Sequence, residues 1–203
     1  MAYDFHGGWE STTGHQAAMT GDPSGYDVVN AVETFKDSGV ALNKVVLGAP
    51  AYTRAWGDVI TGDDLGYGEV GRATSAPGSF EAGNYDQKDL ITGIESGAYQ
   101  LAWDDDALAA YAYNASTQVW SSIETTATIA GKAAYVEAAD LGGMMFWALS
   151  NDSGDEQSLI AAAQDVLRMG ISTDVVAERA PQFDQIFGGD GEFNVKDFTD
   201  LAF

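Results

Sequence analysis

The stretch MAYDFHGGW at residues 1–9 decides the fold that the sequence predicts. It is typical of a buried strand that ends in polar and aromatic residues and then a glycine turn. Two later stretches have the same pattern, KVVLGAPAYTRAW at 44–56 and LGGMMFWALSND at 141–152. Apolar runs that end in functional side chains are typical of parallel strands whose carboxyl ends line a site. We therefore expect the chain to hold only part of a larger site, and to begin partway through the fold that forms this site.

The composition is that of a folded protein. The 203 residues are 45% hydrophobic and 11% aromatic, enough for one sizeable core. No run approaches the roughly 20 apolar residues of a membrane span, and no charged-then-apolar leader stands at the front. With no cysteine, the chain has neither disulfides nor thiolate metal sites. We expect no membrane partner.

The charge is strongly acidic. Asp and Glu number 31 against 9 Lys and Arg, for a formal net charge of −22. Such a surface repels nucleic acid and anionic membranes but is compatible with an uncharged polysaccharide. The acidic residues are scattered among small residues without a solid block. This favours a solvating role for them, with an acidic binding surface as the alternative.

The spacing of apolar residues predicts a strand–helix–strand unit at the start of the chain. Residues 26–39 are predicted as an amphipathic helix, with Val28, Val29, Val32 and Phe35 on one stripe and Gly39 as the stop. The stretch 44–56 follows at once as a parallel strand.

Residues 57–135 do not continue this strand–helix–strand pattern. They contain short stretches in which apolar and polar residues alternate. These predict antiparallel strands of a small inserted subdomain, at 97–104, 109–114 and 118–123. Two further helices are predicted, at 128–139 and 156–169.

The last part, 171–203, differs in texture. Residues 174–181 are predicted as a linker, and 187–198 resemble the back half of a calcium loop. The first two ligand positions of that loop would fall on Ile186 and Gly188, which supply no side-chain oxygen. A degenerate loop or a simple acidic turn is favoured over a calcium site.

The strand ends supply side chains suited to sugar recognition. Aromatic rings cover the apolar faces of a pyranose, while carboxylate and guanidinium groups bond its hydroxyls and amides. The candidates are Tyr3, Asp4, Tyr52, Arg54 and Trp147, with Trp9 extending the wall. The alternative is that Trp147 and Tyr52 are core aromatics.

These stretches resemble a known family. MAYDFHG is similar to the MxYDxxG signature on the sixth barrel strand of family 18 glycoside hydrolases, the chitinases. Residues 44–56 resemble their seventh strand, KxVxGxPxYxRxW, and 141–152 resemble their eighth, LGGxMxWxLxxD. Residues 57–135 resemble the α+β insertion that follows the seventh strand, with Ala110 where a proline is common. The resemblance runs in order over about residues 1–170.

The family's catalytic acid has no counterpart here. It is the Glu of a DxxDxDxE motif on the fourth strand, and the aspartates at 104–106 lack that spacing. The resemblance thus implies an α/β fold made of a partial (β/α)8 TIM barrel, its last three strands, with an α+β insertion domain. The expected divisions are 1–56 for strands six and seven, 57–135 for the insertion, 136–170 for strand eight and its helix, and 171–203 for the tail.

The resemblance also implies roles. Family 18 enzymes use substrate-assisted retention, in which the acid protonates the glycosidic oxygen and the substrate's acetamide oxygen attacks the anomeric carbon. Tyr3 would stabilise the resulting oxazolinium. Binding roles fall to the pocket-shaping Met1 and Asp4, the sugar-gripping Tyr52 and Arg54, the platform Trp147, and Trp9 on the product side.

The expected partners are chitin or N-acetylglucosamine oligomers and the missing amino-terminal half of the barrel, without a cofactor or metal. Extracellular location is implied by the family. This chain alone is expected to be inactive. Two alternatives remain: a non-catalytic chitin-binding protein on the same fold, and an inactive structural fragment.

Other candidates have weaker support. His6 and His15 are the only histidines and lack a third ligand, which disfavours a metal site. Asp152 is expected to cap the following helix. Gly142 and Gly143 are expected to permit tight packing where the strand begins.

Overall fold

The structure is a computed structural model that describes residues 1–62, 65–169 and 195–202. Five α-helices and six strands are described. The helices are α1 Val28–Asp37, α2 Gln87–Glu95, α3 Thr126–Ala138, α4 Leu159–Met169 and α5 Val195–Thr199; the strands are β1 Val46–Pro50, β2 Arg54–Trp56, β3 Gln100–Asp104, β4 Ala109–Asn114, β5 Val119–Ile123 and β6 Gly143–Trp147. None of these helices is long and apolar enough to cross a membrane.

The strands form two sheets. β1 and β6 pair in parallel, with Val46 opposite Gly143 and Pro50 opposite Trp147. The other four strands form an antiparallel sheet in the order β2-β5-β4-β3. The mixed α/β class is confirmed, as are the antiparallel strands predicted between 97 and 123.

Residues 1–9 do not form the predicted strand. Residues 1–4 and residue 7 have no regular structure, while 5–6 form a bend and 8–9 a turn. Asp4 has a φ of 60°, which takes the backbone out of the extended conformation. The segment still lies beside β1, since a Cβ added to Gly48 would be 3.0 Å from Met1 Cα and 3.1 Å from the Tyr3 ring. It therefore packs on β1 but joins no described ladder.

The single strand predicted at 44–56 is wrong in one respect, because the chain there crosses from one sheet to the other. Ala51 N donates to the carbonyl of Trp147 at 2.7 Å, and Thr53 N donates to Tyr85 O at 2.9 Å. Residues 51–53 thus separate β1 from β2. β1 pairs with β6, whereas β2 pairs with β5.

The core under β1 is built from small residues. Ala133 of α3 and Ala162 of α4 are buried together with Ala49 and Ala51, so the two helices approach β1 closely. Phe198 of α5 is fully buried against Gly131 of α3. The predicted division between 135 and 136 falls inside α3.

α1 matches the predicted helix at 26–39 with one exception. Asp27 begins it, accepting a hydrogen bond from Asn30 N at 2.8 Å. Val28 and Val32 are buried, but Phe35 is 50% exposed, so its place on the buried stripe was wrong.

A buried ion pair joins the residue after β5, α3 and the loop before α1. Lys132 on α3 is 2% exposed, pairs with Glu124, and donates to Ala17 O at 2.6 Å. Thr128 donates its hydroxyl to the second oxygen of Glu124. Each buried charge is thus paired and hydrogen-bonded, as burial requires.

The predicted linker at 174–181 lies outside the described residues, as does the calcium-loop-like segment up to its residues 195–198, which belong to α5.

Candidate functional site

A two-point ion pair joins the turn after Tyr3 to the start of β2. Arg54 donates from Nε and Nη2 to the two carboxylate oxygens of Asp4, at 2.8 and 2.9 Å. The Asp4 side chain is 34% exposed and that of Arg54 is 18% exposed. A planar guanidinium that bonds both oxygens fixes the carboxylate more rigidly than a single bond does. Asp4 is thus held in place while still reachable from solvent.

Aromatic rings surround this pair. The Arg54 guanidinium carbon lies 5.4 Å from the centroid of the Trp9 ring and 5.2 Å from that of Tyr52, within the range of cation–π attraction. Tyr3 and Tyr52 meet edge to face, with centroids 6.0 Å apart. The structure therefore brings five predicted site residues together, and we call them the Asp4–Arg54 cluster: Tyr3, Asp4, Trp9, Tyr52 and Arg54.

The two phenols in the cluster are held in their protonated form. Burial, and then the charge of Asp4, raise the pKa of Tyr3. Burial, and then hydrogen bonding to Asp4, raise the pKa of Tyr52 well above its usual range. The Tyr3 hydroxyl is buried and has no hydrogen-bond partner within the described ranges. A buried polar group without a partner is costly, and this hydroxyl has no compensating bond among the described residues.

The Trp9 indole lies over Gly7. A Cβ on Gly7 would be 2.4 Å from the ring, so a larger residue there would displace it. The side chain is nevertheless 61% exposed. An indole with this much exposed surface is suited to stacking on a sugar.

Trp147 and Met1 lie outside the Asp4–Arg54 cluster. Trp147 ends β6 and is 60% exposed, and its peptide bond to Ala148 is cis. It is therefore not a core aromatic, whereas Tyr52 is 6% exposed. The carbonyl of Trp147 is bonded to the residue before Tyr52, so the two side chains start from adjacent positions. Met1 is 84% exposed beside Gly48.

His6 binds two carboxylates. Its Nδ1 lies 2.9 Å from Glu10 Oε2 and its Nε2 lies 2.7 Å from Asp22 Oδ2, so the imidazolium donates on both sides. Burial opposes the charged ring, but the hydrogen bonds and charges of Asp22 and Glu10 outweigh it and raise the pKa of His6. This anchor of the Trp9 loop was missed, because Asp22 is 16 residues away in an irregular stretch with no period to reveal it.

His15 has a similar structural role. It is 1% exposed, its Nε2 lies 3.0 Å from Asp104 Oδ2, and its ring stacks on Tyr67 at 4.7 Å. Within the described ranges no three His, Asp or Glu side chains are grouped as a metal ion would need.

The two structural expectations near β6 fare differently. The cap is confirmed, since Asp152 accepts hydrogen bonds from Leu159 N and Ser158 Oγ, both at 2.8 Å. Tight packing is confirmed at Gly142, where a Cβ would lie 2.8 Å from Asn43 O. It is wrong at Gly143, which faces open space but has a φ of 133°.

Comparison with known proteins gives a consistent result. The sequence model of the family described as "Glycosyl hydrolases family 18" matches residues 1–152. Chitinase A1 of Niallia circulans is 34% identical over 165 residues, which cover 75% of this chain and 23% of that protein. Chitinase 1 of Aphanocladium album is 34% identical over 178 residues, 85% of this chain and 40% of that protein. The chain thus spans well under half the length of either curated relative.

Solved structures agree with this. Chitinase ChiA74 from Bacillus thuringiensis superposes with a TM-score of 0.73 at 28% identity, over 85% of this chain and 32% of that one. A family 18 chitinase mutant from Cycas revoluta, solved in complex with (GlcNAc)4, gives a TM-score of 0.67 at 28% identity, over 82% of this chain and 44% of that one.

Proposed function

The chain belongs to family 18 of the glycosyl hydrolases, and on that premise we propose that it is the carboxyl-terminal part of a chitinase-like hydrolase. Its substrate would be β-1,4-linked N-acetylglucosamine polymers, in an extracellular setting. The observation that carries this proposal is the Asp4–Arg54 cluster, in which a rigid carboxylate stands among phenol donors and an exposed indole. The Cycas revoluta chitinase mutant, which was solved with (GlcNAc)4 bound, supports the choice of sugar.

The fold proposal follows the family. In it, β1 and β6 are neighbouring strands of an eight-stranded barrel, residues 1–9 take the sixth position, and the antiparallel sheet is the insertion. The parallel pairing of β1 with β6 supports this. The divisions remain 1–56, 57–135, 136–170 and 171–203, with α3 crossing the boundary between the second and the third.

In the proposed reaction, an acid outside this sequence protonates the glycosidic oxygen, and the substrate's acetamide oxygen attacks the anomeric carbon as its bond to the leaving sugar breaks. Water then opens the oxazolinium, so the anomeric configuration is retained overall. Tyr3 would donate its unpartnered hydroxyl to the acetamide, and Asp4 would hold the amide side of the forming oxazolinium. Preorganised groups of this kind stabilise charge that appears only in the transition state.

The remaining residues would bind the polymer. Trp147 would be the platform under the distorted sugar, and Trp9 would stack on the product side. Both indoles are more than half exposed, which supports these roles. Tyr52 and Arg54 would grip neighbouring sugars, and Met1 would shape the acetamide pocket.

The first experiment measures turnover and binding with the chain itself. We expect no release from a fluorogenic N-acetylglucosamine oligomer, because general acid catalysis, worth about 10²–10⁴-fold, is missing. We expect Trp9→Ala and Trp147→Ala to weaken binding of (GlcNAc)4 about tenfold, since each removes a stacking face. Phe35→Ala, a half-exposed aromatic on α1, is the control and should bind normally. Unchanged binding in both tryptophan variants would contradict the proposal.

A second experiment separates the enzyme from a non-catalytic chitin-binding protein. The amino-terminal half of an active family 18 relative is joined to this chain, and Tyr3→Phe is compared with the parent. The proposal expects kcat to fall much more than affinity, because the hydroxyl acts on the oxazolinium. Equal losses in kcat and affinity would contradict that role, and absence of turnover in the parent fusion would favour the binding protein.

A further inference from the structure

The loop between Trp9 and α1 contains a buried glutamine that none of the roles above uses. Gln16 is 1% exposed and lies in a turn. Burying an amide is costly unless hydrogen bonds replace those it made to water, so the partners of a buried glutamine indicate what it holds together. Hydrogen bonds connect Gln16 to three positions in or next to the Asp4–Arg54 cluster.

The backbone carbonyl of Gln16 supports the turn that carries Asp4. It accepts a hydrogen bond from Phe5 N at 2.9 Å. Asp4 has a φ of 60°, a conformation that residues other than glycine keep only where the surrounding structure supports it. Because the bond to Gln16 comes directly after Asp4, it helps to hold the carboxylate-bearing residue in this conformation.

The side chain and the backbone N–H of Gln16 hold the segment that carries Arg54. Gln16 Nε2 donates to Tyr52 O at 2.7 Å, in the crossing at 51–53 between the two sheets. Gln16 N donates to Ser122 Oγ at 3.0 Å, and Ser122 stands opposite Arg54 in the β2–β5 ladder. One residue thus fixes both the approach to β2 and the strand beside it.

We propose that Gln16 is a positioning residue, which joins the turn carrying Asp4 to the strand carrying Arg54 and so sets the geometry of their ion pair. The two partners are 50 residues apart in the chain, and both of their hydrogen bonds, of 2.8 and 2.9 Å, must form together. Such a two-point bond tolerates little displacement, since the planar guanidinium must meet both carboxylate oxygens.

The inference rests on the proposed function, in which the Asp4–Arg54 cluster acts on the acetamide of the substrate. Gln16 is buried, so it acts only through that cluster. Displacements of about 1 Å in positioned groups can cost about 100-fold in rate, which makes the support of the ion pair matter to turnover.

The test removes the Gln16 amide without leaving a cavity. Gln16→Met keeps the length and approximate volume of the side chain but has no donor for the Tyr52 carbonyl. Gln87→Met is the matched control. Gln87 is also 1% exposed, donates its Nε2 to a backbone carbonyl, that of Gln157 at 3.3 Å, and like Gln16 has an Oε1 without a partner among the described residues. Both variants should lower Tm by a similar amount, because each loses one hydrogen bond of a buried amide.

The direct readout is the Nε–H signal of Arg54 in ¹⁵N NMR spectra of the chain, since the bond to Asp4 slows the exchange of this proton with water. We expect Gln16→Met to speed this exchange and to weaken binding of (GlcNAc)4, each about 5- to 10-fold, and Gln87→Met to change neither. Ser122→Ala removes only the acceptor of Gln16 N. It should move both values in the same direction by a smaller factor, and it carries the test if Gln16→Met does not fold.

Catalysis provides a second readout. In the fusion to the amino-terminal half of an active relative, Gln16→Met should lower kcat about 10- to 100-fold and affinity less, because misplaced groups cost most in the transition state. A merely structural role would leave kcat of the folded enzyme unchanged.

The outcomes separate this inference from the proposed function. Unchanged Arg54 exchange or unchanged (GlcNAc)4 affinity in Gln16→Met would overturn the positioning role and leave the proposed function standing. Equal changes in Gln16→Met and Gln87→Met would also overturn it, since general loosening would then be responsible. A parent chain that binds no (GlcNAc)4, with Arg54 exchange still faster in Gln16→Met, would overturn the proposed function and leave Gln16 as the support of the ion pair.

Discussion

Gly7 determines where the Trp9 indole lies, since the ring occupies the space that any side chain at position 7 would need. The exposed platform therefore depends on a residue that touches no ligand. The sequence predicted that Gly7 is part of a turn. Only the structure shows that the position of the Trp9 ring depends on this glycine. Local pattern identifies turn residues well, whereas the space beside them is set by tertiary packing.

We predict that Gly7→Ala weakens binding of (GlcNAc)4 about tenfold without unfolding the protein, because the displaced indole no longer presents its face. Isothermal titration measures the affinity and circular dichroism the fold. Gly154→Ala is the control, as a Cβ there meets nothing within 4 Å. Normal affinity in Gly7→Ala would show that Trp9 has another acceptable position.

His6 makes stability depend on pH. The charged and titratable groups that face it are Glu10, Asp22 and the ring of Tyr26, 6.5 Å away. The pKa of His6 is raised above 6.5 in the folded state. The contribution of His6 to the free energy of unfolding is therefore complete below pH 6.5 and is lost as the pH rises through the folded pKa. Hydrogen bonds from Ser24 and His6 outweigh burial and lower the pKa of Asp22. The contribution of Asp22 to stability is therefore lost only in acid.

We therefore predict that His6→Gln lowers Tm more at about pH 6 than at about pH 9. Thermal unfolding followed by circular dichroism at both values measures the difference between parent and variant. A constant difference across this range would show that the imidazolium is not what anchors the loop.

At the scale of elements, pattern and neighbours contributed differently. The helices α1, α3 and α4 were predicted because their apolar residues recur with helical spacing or their ends carry caps. The strand at 1–9 was wrong because an apolar run becomes a strand only where a ladder partner exists. The break at 51–53 was missed because both sides of it have the residues of an extended segment and the crossing is dictated by the other sheet.

The cap of α4 gives a prediction at this scale. Asp152→Ala should reduce the free energy of unfolding by about 1–2 kcal/mol, because Leu159 N and Ser158 lose their acceptor. Urea denaturation measures it. Asp105→Ala removes the same charge from an exposed turn and should change stability little. Equal losses in the two variants would mean that charge, not capping, is responsible.

At the scale of the molecule, the two sheets differ in how well their strands are paired. β4 and β5 are each flanked by two strands, whereas β1 and β6 pair only with each other within the described ranges. Open sheet edges leave N–H and C=O groups without ladder partners. The high negative charge would slow association through such edges but would not supply the missing hydrogen bonds.

Hydrogen exchange should reveal this difference. We predict that the amides of 109–114 and 119–123 exchange slowest, and that those of 1–9 and 143–147 exchange much faster, because local opening needs less free energy there. Mass spectrometry of peptic fragments measures both. Uniformly strong protection in a monomer would mean that the β1–β6 edges are closed in another way.

The break at 51–53 has a consequence for how this part of the molecule can vary. The chain enters the antiparallel sheet at Arg54, and Ser122 near its exit stands directly opposite on the neighbouring strand. The segment between these two residues therefore begins and ends at one pair of opposite positions in the β2–β5 ladder. Since lengthening a loop costs only about 0.6 kcal/mol per doubling, the exposed turns within residues 57–119 can change in length at little cost, whereas Gly66, Glu69 and Ala107 are hydrogen-bonded to residues 13–20 and must keep their places. Tyr52 and Arg54 lie where this segment begins, and the segment helps to hold them, because Thr53 N donates to Tyr85 O and Ala55 N donates to Gly83 O, both at 2.9 Å.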